Sequence, residues 1–447
     1  MYSYELRDGV FKTMSEAIEA AKIAQKSLVT DYTIEDRETI IKHIRQEFEK
    51  INEEISRFEF EETKFGRFED KVDKNLGGIL NTPGTECIKT NSYATDKGLT
   101  IEYAAPYGVI GAVTPSTNPS LTVIGNGISA VASGNSVVFN AHPFAQKSSA
   151  FAVQVFNQAV VKGGGPNNLV TMSENPSLET LQVILDSKDI KLLVGTGGPA
   201  MVKTLMASGK KVIAAGAGNP PAIVDETADI ARAASELYAS TGYDNNLMCT
   251  TEKEIFVVEQ VADDFMTELV KAGARLLTAE EIIKVTNTAF NKTSDGDYVV
   301  NKDYVGRDAK YILSAAGVEV NGDPLIATFV ADKSHPFVRL EQLMPIIPVV
   351  YCRDFEEAMA YAIEAESGNK HSAAIWSNDI YRVTEFGRRV DTTIYVQNGG
   401  TSAAFGVDGT GKDSPTIATP TGEGITDAST FTRRRTFAIA NGGNYIL

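Results

Sequence analysis

The feature of this sequence that most constrains its fold is an alternation of short apolar runs with helical segments, which starts near residue 99. Residues 107–113 are an apolar run typical of a buried strand, and residues 121–132 have apolar side chains at helical spacing. This alternation predicts an α/β fold with a doubly wound parallel sheet. It continues in the predicted strands 99–103, 134–140 and 190–194 and in the predicted helices 149–161 and 178–186.

Two loops follow predicted strands of this sheet at the ends where ligands bind in such folds. The first loop, residues 114–120, precedes the helix at 121–132. The second, residues 195–200, is glycine-rich and opens a predicted helix at 200–207. Free N–H groups at a helix start suit a phosphate. The loop lacks the usual G-x-G-x-x-G fingerprint, so a tight turn that needs glycine explains it equally well.

A second alternating region, residues 219–393, contains the candidate nucleophile Cys249. This cysteine lies behind a polar Asp-Asn-Asn turn, between a predicted helix at 228–240 and a predicted strand at 254–258. A thiolate is a strong nucleophile, and backbone N–H groups around such a turn can stabilise it. The alternative is a small buried apolar residue, because free cysteines are often buried. A helix is predicted at 355–366, and helices at 14–28 and 34–62 precede both regions.

The composition excludes several classes of protein. At 447 residues the chain predicts two or three domains, and its net charge of -16 argues against nucleic acid as a partner. Three cysteines and four histidines, with no Cys-x-x-Cys, predict neither a disulfide framework nor a metal site. No signal peptide or membrane-spanning run is evident, so a cytoplasmic protein without a membrane partner is expected.

The end of the chain carries a late strand pattern. Residues 431–440 alternate like a strand, far from any local partner. Such a strand is expected to pair across a subunit interface.

Six motifs occur in a fixed order along the chain, and together they resemble the CoA-acylating aldehyde dehydrogenases of the aldehyde dehydrogenase superfamily. The resemblance runs from about residue 8 to about residue 435 and is strongest to the enzymes of ethanolamine and propanediol utilisation. The motifs are YGVIGAVTPSTNP (107–119), GNSVVFNAHP (134–143), GTGGP (195–199), GAGNPP (216–221), DNNLMC (244–249) and PTGEG (420–424).

The resemblance implies three parts in the subunit. A Rossmann-type cofactor domain is expected in residues 1–98 and 107–217, and an α/β catalytic domain in residues 218–393. An oligomerisation β-flap with a C-terminal segment is expected in residues 99–106 and 394–447.

The resemblance also implies roles for individual residues. Cys249 falls at the family's nucleophile, Asn118 at its oxyanion side chain, and Glu341 at a carboxylate near the nicotinamide ribose. A helix cap is the alternative for Asn118. The other residues implied in cofactor binding are Thr114, Pro115, Asn140, His142, Gly195, Thr196, Gly197, Gly198 and Gly216.

These residue types fit the chemistry. A thiolate adds to the aldehyde, and the amide of Asn118 and the N–H of Cys249 stabilise the alkoxide. Hydride transfer to NAD leaves an acyl-enzyme thioester. Ala215 stands where hydrolytic relatives carry the glutamate that activates water. CoA, a thiol acidic enough to attack without that base, is therefore the expected acceptor.

Several positions depart from the family pattern. Asn140 replaces a frequent lysine and Pro143 a glutamate, so the choice between NAD and NADP stays open even if His142 compensates. Tyr243 and Met248 are expected to shape the aldehyde pocket. His371 is a weak candidate for proton handling, since a lone histidine is more often structural.

Arg433, Arg434 and Arg435 either meet CoA phosphates or form a solvated interface strand, and the latter is favoured. Cys87 and Cys352 are interpreted as structural.

The expected partners are a short-chain aldehyde, CoA and further copies of the chain in a homodimer or homotetramer. A microcompartment shell and an alcohol dehydrogenase are further candidates, although no N-terminal targeting extension is visible. Two rival functions are an acyl-phosphate reductase of the same fold and an inactive nucleotide-binding scaffold. Thioester formation with CoA would exclude the first, and alkylation of Cys249 that responds to cofactor would weaken the second.

Overall fold

The computed structural model describes residues 7–407 and 409–442 and divides into two compact units. The first unit takes the chain up to residue 63, residues 72–215 and the chain from residue 412. The second unit takes residues 64–71 and 216–411. None of the described helices is long and apolar enough to cross a membrane.

The helices, in chain order, are α1 (Met14–Asp31), α2 (Ile34–Lys50), α3 (Asn52–Thr63), α4 (Phe68–Asn81), α5 (Pro119–Ser133), α6 (Gln146–Lys162), α7 (Leu178–Asp186), α8 (Pro199–Met206), α9 (Ile230–Gly242), α10 (Glu259–Ala272), α11 (Ala279–Ala289), α12 (Ala309–Ala315), α13 (Pro336–Arg339), α14 (Phe355–Glu366) and α15 (Ile380–Val390).

The strands are β1 (Val10–Phe11), β2 (Asn91–Thr95), β3 (Gly98–Pro106), β4 (Val109–Val113), β5 (Ser136–Asn140), β6 (Val170–Ser173), β7 (Ile190–Thr196), β8 (Lys211–Ala215), β9 (Pro221–Val224), β10 (Glu254–Val258), β11 (Arg275–Leu276), β12 (Phe290–Lys292), β13 (Tyr298–Val300), β14 (Ala327–Val330), β15 (Ile346–Cys352), β16 (Ser372–Trp376), β17 (Ile394–Gln397), β18 (Ile417–Ala418), β19 (Gly424–Ile425) and β20 (Thr432–Ala440).

The first unit contains a six-stranded parallel sheet, the first sheet, with the strand order β1-β6-β5-β4-β7-β8. Strands β4 and β5 are buried along their whole length because helices cover both faces, as their continuous apolar runs predict. Val113 pairs with both Asn140 and Gly195, so the ends of β4, β5 and β7 share one edge. The strand order reverses between β4 and β7, where such sheets bind ligands. The predicted doubly wound α/β fold is confirmed.

The second unit contains a seven-stranded parallel sheet, the second sheet, with the order β11-β14-β15-β10-β9-β16-β17. Its central strands are apolar and buried. Because all strands run parallel, the segments that precede β9, β10, β15 and β16 lie along one edge, the amino edge.

The late strand β20 has a partner within the chain, and its expected pairing across a subunit interface stays a prediction. It pairs antiparallel with β3 over nine positions, from Thr432 opposite Pro106 to Ala440 opposite Gly98. With β2 these strands form a third sheet in which β20 is an edge. The sequence gap between β3 and β20 hid this pairing.

The expected helix at 34–62 is interrupted. Ile51 leaves the helical conformation and its N–H bonds to the carbonyl groups of Phe48 and Glu49, which ends α2. The next helix begins at Asn52, whose side-chain amide donates to the carbonyl of Val72 at 2.7 Å. We attribute the break in the continuous amphipathic pattern to this hydrogen bond, which joins Asn52 to a residue 20 positions further along the chain.

The limits of the units differ from the predicted domains: residues 64–71, 216–217 and 394–411 belong to the second unit, and residues 99–106 and the chain from residue 412 belong to the first. Hydrogen bonds to the segment around Cys249 explain the assignment of residues 64–71 and 394–411. The N–H of Arg67 donates to Asp244 at 2.9 Å, and the N–H of Thr401 donates to Glu252 at 2.7 Å. The functions assigned to the predicted domains stay predictions.

Candidate active site

The segment 243–250, here called the thiol turn, connects α9 to β10 and owes its shape to three residues with left-handed backbones. Asp244, Asn245 and Asn246 have φ values of 47°, 55° and 58°. Asp and Asn adopt this conformation more readily than other residues with side chains. The Asp-Asn-Asn motif is therefore explained by the backbone of the turn.

The side chains of these residues fix the turn to its surroundings. The Asn245 amide lies 3.1 Å from the carbonyl of Gly66, 3.0 Å from that of Gly306 and 3.0 Å from a carboxylate oxygen of Asp308. The Asn246 amide donates to the carbonyl of Thr241 at 3.0 Å. These bonds hold the chain that carries the thiol.

Asp244 adds a buried charge to this arrangement. Its carboxylate lies 3.9 Å from the Lys71 ammonium, and both side chains are fully buried. Its own N–H donates to Asp70 at 2.8 Å. Removal of one partner of a buried ion pair strongly destabilises the folded protein. The pair between Asp244 and Lys71 therefore fixes one conformation of the turn.

Cys249 is half-buried and precedes β10. Burial raises the pKa of its thiol to about 12, and the neighbouring Glu341 carboxylate contributes to the rise. The Lys253 ammonium and the N–H of Cys249 itself lower this pKa, but to a smaller extent. The N–H groups of the turn were expected to stabilise a thiolate. Burial outweighs them, so the thiol is protonated at neutral pH in this state.

Lys253 is a residue of the site that the sequence interpretation missed. It is fully buried, and its ammonium donates to the carbonyls of Met248 at 2.7 Å and Asn246 at 3.1 Å. Burial lowers its pKa to about 8, against the opposing effect of Glu341 and Cys249. The available signal was the Glu-Lys-Glu run at 252–254, in which charged residues open an otherwise apolar strand.

Glu341 lies in the same cluster. Its carboxylate accepts the N–H of Gly218 at 3.1 Å. Burial raises its pKa to about 7, while Lys253 and the Gly218 N–H lower it. Glu341 is therefore a group that changes charge near neutral pH. The structure brings it together with Cys249, and its predicted contact with a ribose stays a prediction.

Gly218 is a second residue that the sequence interpretation missed; Gly216, two positions earlier, was predicted instead. A Cβ on Gly218 would lie 2.7 Å from the carbonyl oxygen of Cys249 and 2.7 Å from the His371 ring. Both distances are far below van der Waals contact, so only glycine fits here. The GAGNPP motif signalled this segment without indicating which glycine is required.

His371 precedes β16 and is fully buried. Its Nδ1 lies 2.8 Å from the Ser372 hydroxyl, and within the described chain its buried Nε2 has no hydrogen-bond partner. Burial and the Lys253 charge lower its pKa to about 4. The ring is therefore neutral at physiological pH.

Asn118 belongs to the first unit, where it precedes α5. Its side chain makes no capping hydrogen bond, which removes the helix cap as its explanation. The ammonium of Lys74, also missed in the sequence, donates to its Oδ1 at 2.5 Å. Its Nδ2 lies 3.4 Å from the Thr117 hydroxyl.

The predicted cofactor residues at the carboxyl ends of β4 and β5 differ in their surroundings. Thr114 is buried, and its hydroxyl has no hydrogen-bond partner in the described part of the chain. Asn140 donates to the carbonyl of Ser177 at 3.2 Å and accepts from the Thr180 hydroxyl at 2.7 Å. Its side chain is therefore held by the start of α7. His142 accepts the N–H of Phe144 at 3.2 Å. Pro115 is half-buried in the same loop as Thr114.

The glycine-rich loop has two parts with different reasons for glycine. A Cβ on Gly195 would lie 2.1 Å from Leu205, so this glycine permits α8 to pack on β7. Gly198 precedes α8, and a Cβ added to it would meet no atom within 4 Å. Gly197 donates its N–H to the carbonyl of Ala215 at 3.3 Å, and Thr196 lies 3.2 Å from the Thr416 hydroxyl. The open helix start at Gly198 remains the part suited to a phosphate.

The PTGEG motif borders β8, the edge strand of the first sheet. The Thr421 hydroxyl accepts the N–H of Ala214 at 3.0 Å, and Glu423 forms a 2.8 Å ion pair with Lys211. Ala215 is buried at the end of this strand. The motif thus has a structural function as a cover for β8.

The remaining candidates lie apart from these clusters. Cys352 is buried in β15 and Cys87 is half-buried. Arg433 donates to the carbonyl of Pro106 at 3.1 Å, and Arg434 and Arg435 are exposed on β20. Among the described residues no cluster of acidic, cysteine and histidine side chains is arranged to hold a metal ion.

Comparisons with known proteins agree with the resemblance in the motifs. The model of the aldehyde dehydrogenase family matches residues 4–413. The acetylating acetaldehyde dehydrogenase EutE of Escherichia coli K12 is 42% identical over 429 residues, which cover 96% of this chain and 91% of that protein.

Two solved structures are similar over nearly the whole chain. A propionaldehyde dehydrogenase from the fucose utilisation bacterial microcompartment of Clostridium phytofermentans is 41% identical, with a TM-score of 0.94 and coverage of 97% of this chain and 99% of that chain. The propionaldehyde dehydrogenase of Rhodopseudomonas palustris, solved with bound CoA and an acylated cysteine, is 39% identical, with a TM-score of 0.93 and coverage of 97% and 98%. The chain therefore belongs to the aldehyde dehydrogenase family, and within it to the CoA-acylating acetaldehyde and propanal dehydrogenases.

Proposed function

We propose that this enzyme oxidises a short-chain aldehyde with CoA and a nicotinamide cofactor to an acyl-CoA, and that Cys249 is its nucleophile. The observation that carries the assignment of Cys249 is its position at the amino edge of the second sheet. There it precedes β10 and interacts with the charges of Glu341 and Lys253. Perturbed titratable groups that surround one thiol are typical of a catalytic site.

The thiol of Cys249 must lose its proton before it attacks the aldehyde. Two titratable groups of the second unit are candidates to accept it. Glu341, with a pKa of about 7, is a better base near neutral pH than His371, with a pKa of about 4. We assign the proton to Glu341, from which solvent can remove it.

The attack of the Cys249 thiolate on the aldehyde carbon forms a C–S bond and an alkoxide. The N–H of Cys249 and the amide of Asn118 are the proposed donors to this oxyanion. A bound nicotinamide ring supplies the acceptor for the hydride. The sulfur of Cys249 then keeps the acyl group as a thioester.

Acyl transfer to a thiol fits the absence of a carboxylate at position 215. Ala215 is buried at the end of β8 and provides no base for water. The CoA thiolate adds to the thioester carbonyl and expels the thiolate of Cys249. One aldehyde, one CoA and one oxidised cofactor give one acyl-CoA, one reduced cofactor and one proton.

Two features of the first unit support a cofactor at the carboxyl edge of the first sheet. The buried Thr114 hydroxyl lacks a hydrogen-bond partner in the described chain, and the start of α8 at Gly198 is open. A polar cofactor with phosphate groups would satisfy both.

The enzyme uses CoA and NAD or NADP, and we propose NAD. The first N–H groups of α6 donate to the Glu62 carboxylate, from Lys147 at 2.8 Å and from Ser148 at 2.7 Å. α6 follows β5 by a short connection, and a carboxylate there repels the extra phosphate of NADP. The ratio of NADH to NADPH formation tests this choice, and Glu62→Gln is expected to shift it toward NADPH.

The test of the proposed function is cofactor reduction with acetaldehyde, propanal and butanal, each with and without CoA. Turnover that requires CoA supports acyl transfer, and the ranking of the aldehydes locates the size limit of the pocket. Replacing CoA by phosphate separates this activity from an acyl-phosphate reductase. Equal rates without CoA would mean that water discharges the enzyme, and the argument from Ala215 would then be wrong.

We further propose a homo-oligomer, in which the exposed edge strand β20 and the arginines on it contribute to the contact between subunits. Light scattering would measure its mass. A microcompartment shell and an alcohol dehydrogenase are proposed as further partners, by analogy with the relatives, and co-purification with either would test this.

A further inference from the structure

The peptide between Met248 and Cys249 has a lysine on its carbonyl side. The Lys253 ammonium donates to the Met248 carbonyl at 2.7 Å, and this lysine is fully buried. The carbonyl of Met248 and the N–H of Cys249 belong to one planar trans peptide, so they point in opposite directions. When Lys253 binds the carbonyl oxygen of Met248, the N–H of Cys249 must therefore face away from Lys253.

The N–H of Cys249 therefore lies on the side of this peptide opposite Lys253, and it lowers the pKa of the thiol of its own residue. An alkoxide oxygen formed on the carbon bound to this sulfur is only two bonds from the sulfur, so the same N–H is a candidate donor to it. A buried ammonium on the carbonyl also withdraws electron density from the amide, which strengthens its N–H as a donor.

We propose that Lys253 is a positioning residue, which fixes and polarises the Met248–Cys249 peptide so that its N–H binds the oxyanion formed on Cys249. The proposal deepens the proposed function and depends on it. Lys253 does not touch the substrate in this account, since it acts through the peptide.

The side-chain amide of Asn118, in the first unit, is also bound by a lysine on its oxygen. This contact is a separate observation and supports a separate inference. Lys74 donates to Oδ1 of Asn118 at 2.5 Å, and Lys74 is almost completely buried. A lysine can only donate, so it selects the orientation in which oxygen faces it and Nδ2 points the other way. We infer that Lys74 is the positioning residue that presents the Asn118 amide nitrogen to a ligand.

The competing explanation is that both lysines only tie the chain together. Lys210 shows that this occurs in the protein: its ammonium donates to the carbonyls of Ser187 at 2.6 Å and Ile190 at 3.0 Å, at the amino end of β7. Lys210→Met removes the same kind of bond outside the proposed machinery. It is therefore the matched control for Lys253→Met and Lys74→Met.

The experiment measures kcat and KM for CoA-dependent propanal oxidation in these three variants, after the wild-type enzyme has been shown to require CoA. The loss of one oxyanion donor lowers rates on the order of a hundredfold. We expect kcat to fall by about that factor in Lys253→Met and Lys74→Met, with KM for propanal and the Kd of NAD little changed. Lys210→Met should keep the wild-type kcat. If the two test variants keep kcat as well, the proposal is overturned.

Two further readouts separate positioning from a loss of structure. The effect of Lys74 on kcat should act through Asn118, so the double variant Lys74→Met/Asn118→Ala should have about the same kcat as Asn118→Ala alone. A further loss in the double variant would contradict the inference for Lys74. The rate of Cys249 alkylation by iodoacetamide should fall in Lys253→Met, because the ammonium favours the thiolate, and should stay unchanged in Lys74→Met.

Variants that fail to fold are replaced by Lys253→Arg or Lys74→Arg. The guanidinium keeps the charge and the donation, so these variants should regain most of kcat. An arginine variant that folds and binds NAD but has no activity would contradict the positioning role. If the wild-type enzyme proves independent of CoA, the proposed function fails, and this outcome is distinct from a failure of the lysine proposal.

Discussion

The two large sheets present their candidate functional residues at opposite ends of their strands. In the first sheet, Thr114 and Gly197 follow β4 and β7, and Asn140 ends β5, so all three lie at the carboxyl edge. In the second sheet, the residues that cluster around the thiol precede their strands, at the amino edge; they are Gly218 before β9, Cys249 before β10, Glu341 before β15 and His371 before β16.

The difference shows how far a general rule extends. Ligands in open parallel sheets bind at the carboxyl ends of the strands, and the first sheet follows this rule. The second sheet uses its amino edge for the thiol, where the chain needs left-handed residues, a buried lysine and a glycine without space for a methyl group. The carboxyl edge of the first sheet is open for a ligand, whereas the amino edge of the second sheet is packed around the sulfur of Cys249. Five substitutions test this contrast.

The largest effect is expected for Cys249→Ala. Removal of the nucleophile should lower kcat by on the order of a thousandfold or more. Because the thiol is half-buried and the turn is held by other side chains, the melting temperature should change little. Steady-state kinetics and thermal unfolding measure the two quantities. A variant that retains turnover would exclude the thiol mechanism.

The glycines of the two edges provide a matched pair. Gly218→Ala should place a methyl group 2.7 Å from the Cys249 carbonyl oxygen and lower both kcat and the free energy of unfolding, the latter by about 1–3 kcal/mol. Gly198→Ala has open space, so it should change stability by less than about 0.5 kcal/mol and should raise KM for NAD only. Equal effects of both substitutions would contradict the contrast between a packed and an open edge.

The titration of Glu341, at the packed amino edge of the second sheet, predicts that stability and kcat depend on pH. Its pKa is raised from 4.5 to about 7, so the folded protein holds this proton more tightly than the unfolded chain does. This contribution to stability is fully present below pH 4.5 and is lost as the pH rises through about 7.

Glu341→Gln, which removes this titration, should therefore raise the free energy of unfolding at pH 8 by about 1–2 kcal/mol relative to the wild-type protein, and by much less at pH 4. The inflection of kcat near pH 7 should disappear in this variant as well. Denaturant unfolding and rate profiles across this range provide the check. A difference in stability that is constant with pH would show that Glu341 does not titrate there.

The smallest effect is expected for Lys211→Met, which removes the ion pair with Glu423 at the edge of the first sheet. Its side chain is 49% exposed, so water screens the pair. The loss should be about 0.5 kcal/mol or less. Thermal unfolding measures it, and kcat should stay unchanged because the PTGEG motif is structural in this account. A large loss of activity would give this motif a catalytic function.

The fold could be predicted well where the pattern is local. The buried strand at 254–258 and the helices at 178–186 and 355–366 have the predicted bounds, because apolar spacing alone defines them. The pairing of β20 with β3 could not be predicted, since the two strands are separated by more than half of the chain. The break at Ile51 depends on contacts outside the helix and was missed for a similar reason.

The residues of the site were predicted from sequence motifs, and the limits of this prediction follow from what motifs can show. The motifs named Cys249 and Asn118 but gave no indication of Lys253 and Lys74, whose partners are a backbone carbonyl and an amide 44 residues away. They also could not show that burial keeps the thiol of Cys249 protonated, because burial depends on the packing of the whole unit. Asn140, predicted to bind the cofactor, has partners at the start of α7 that only the structure shows.

The central claim is that Cys249 carries an acyl group that CoA, and not water, removes. The most direct test mixes the enzyme with propanal and NAD in the absence of CoA and follows NADH formation and the mass of the peptide that contains Cys249. We predict a burst of one NADH per active site, a stable propanoyl group on Cys249, and the rapid loss of that group when CoA is added. Continuous NADH formation without CoA, or an acyl group on another residue, would contradict the central claim.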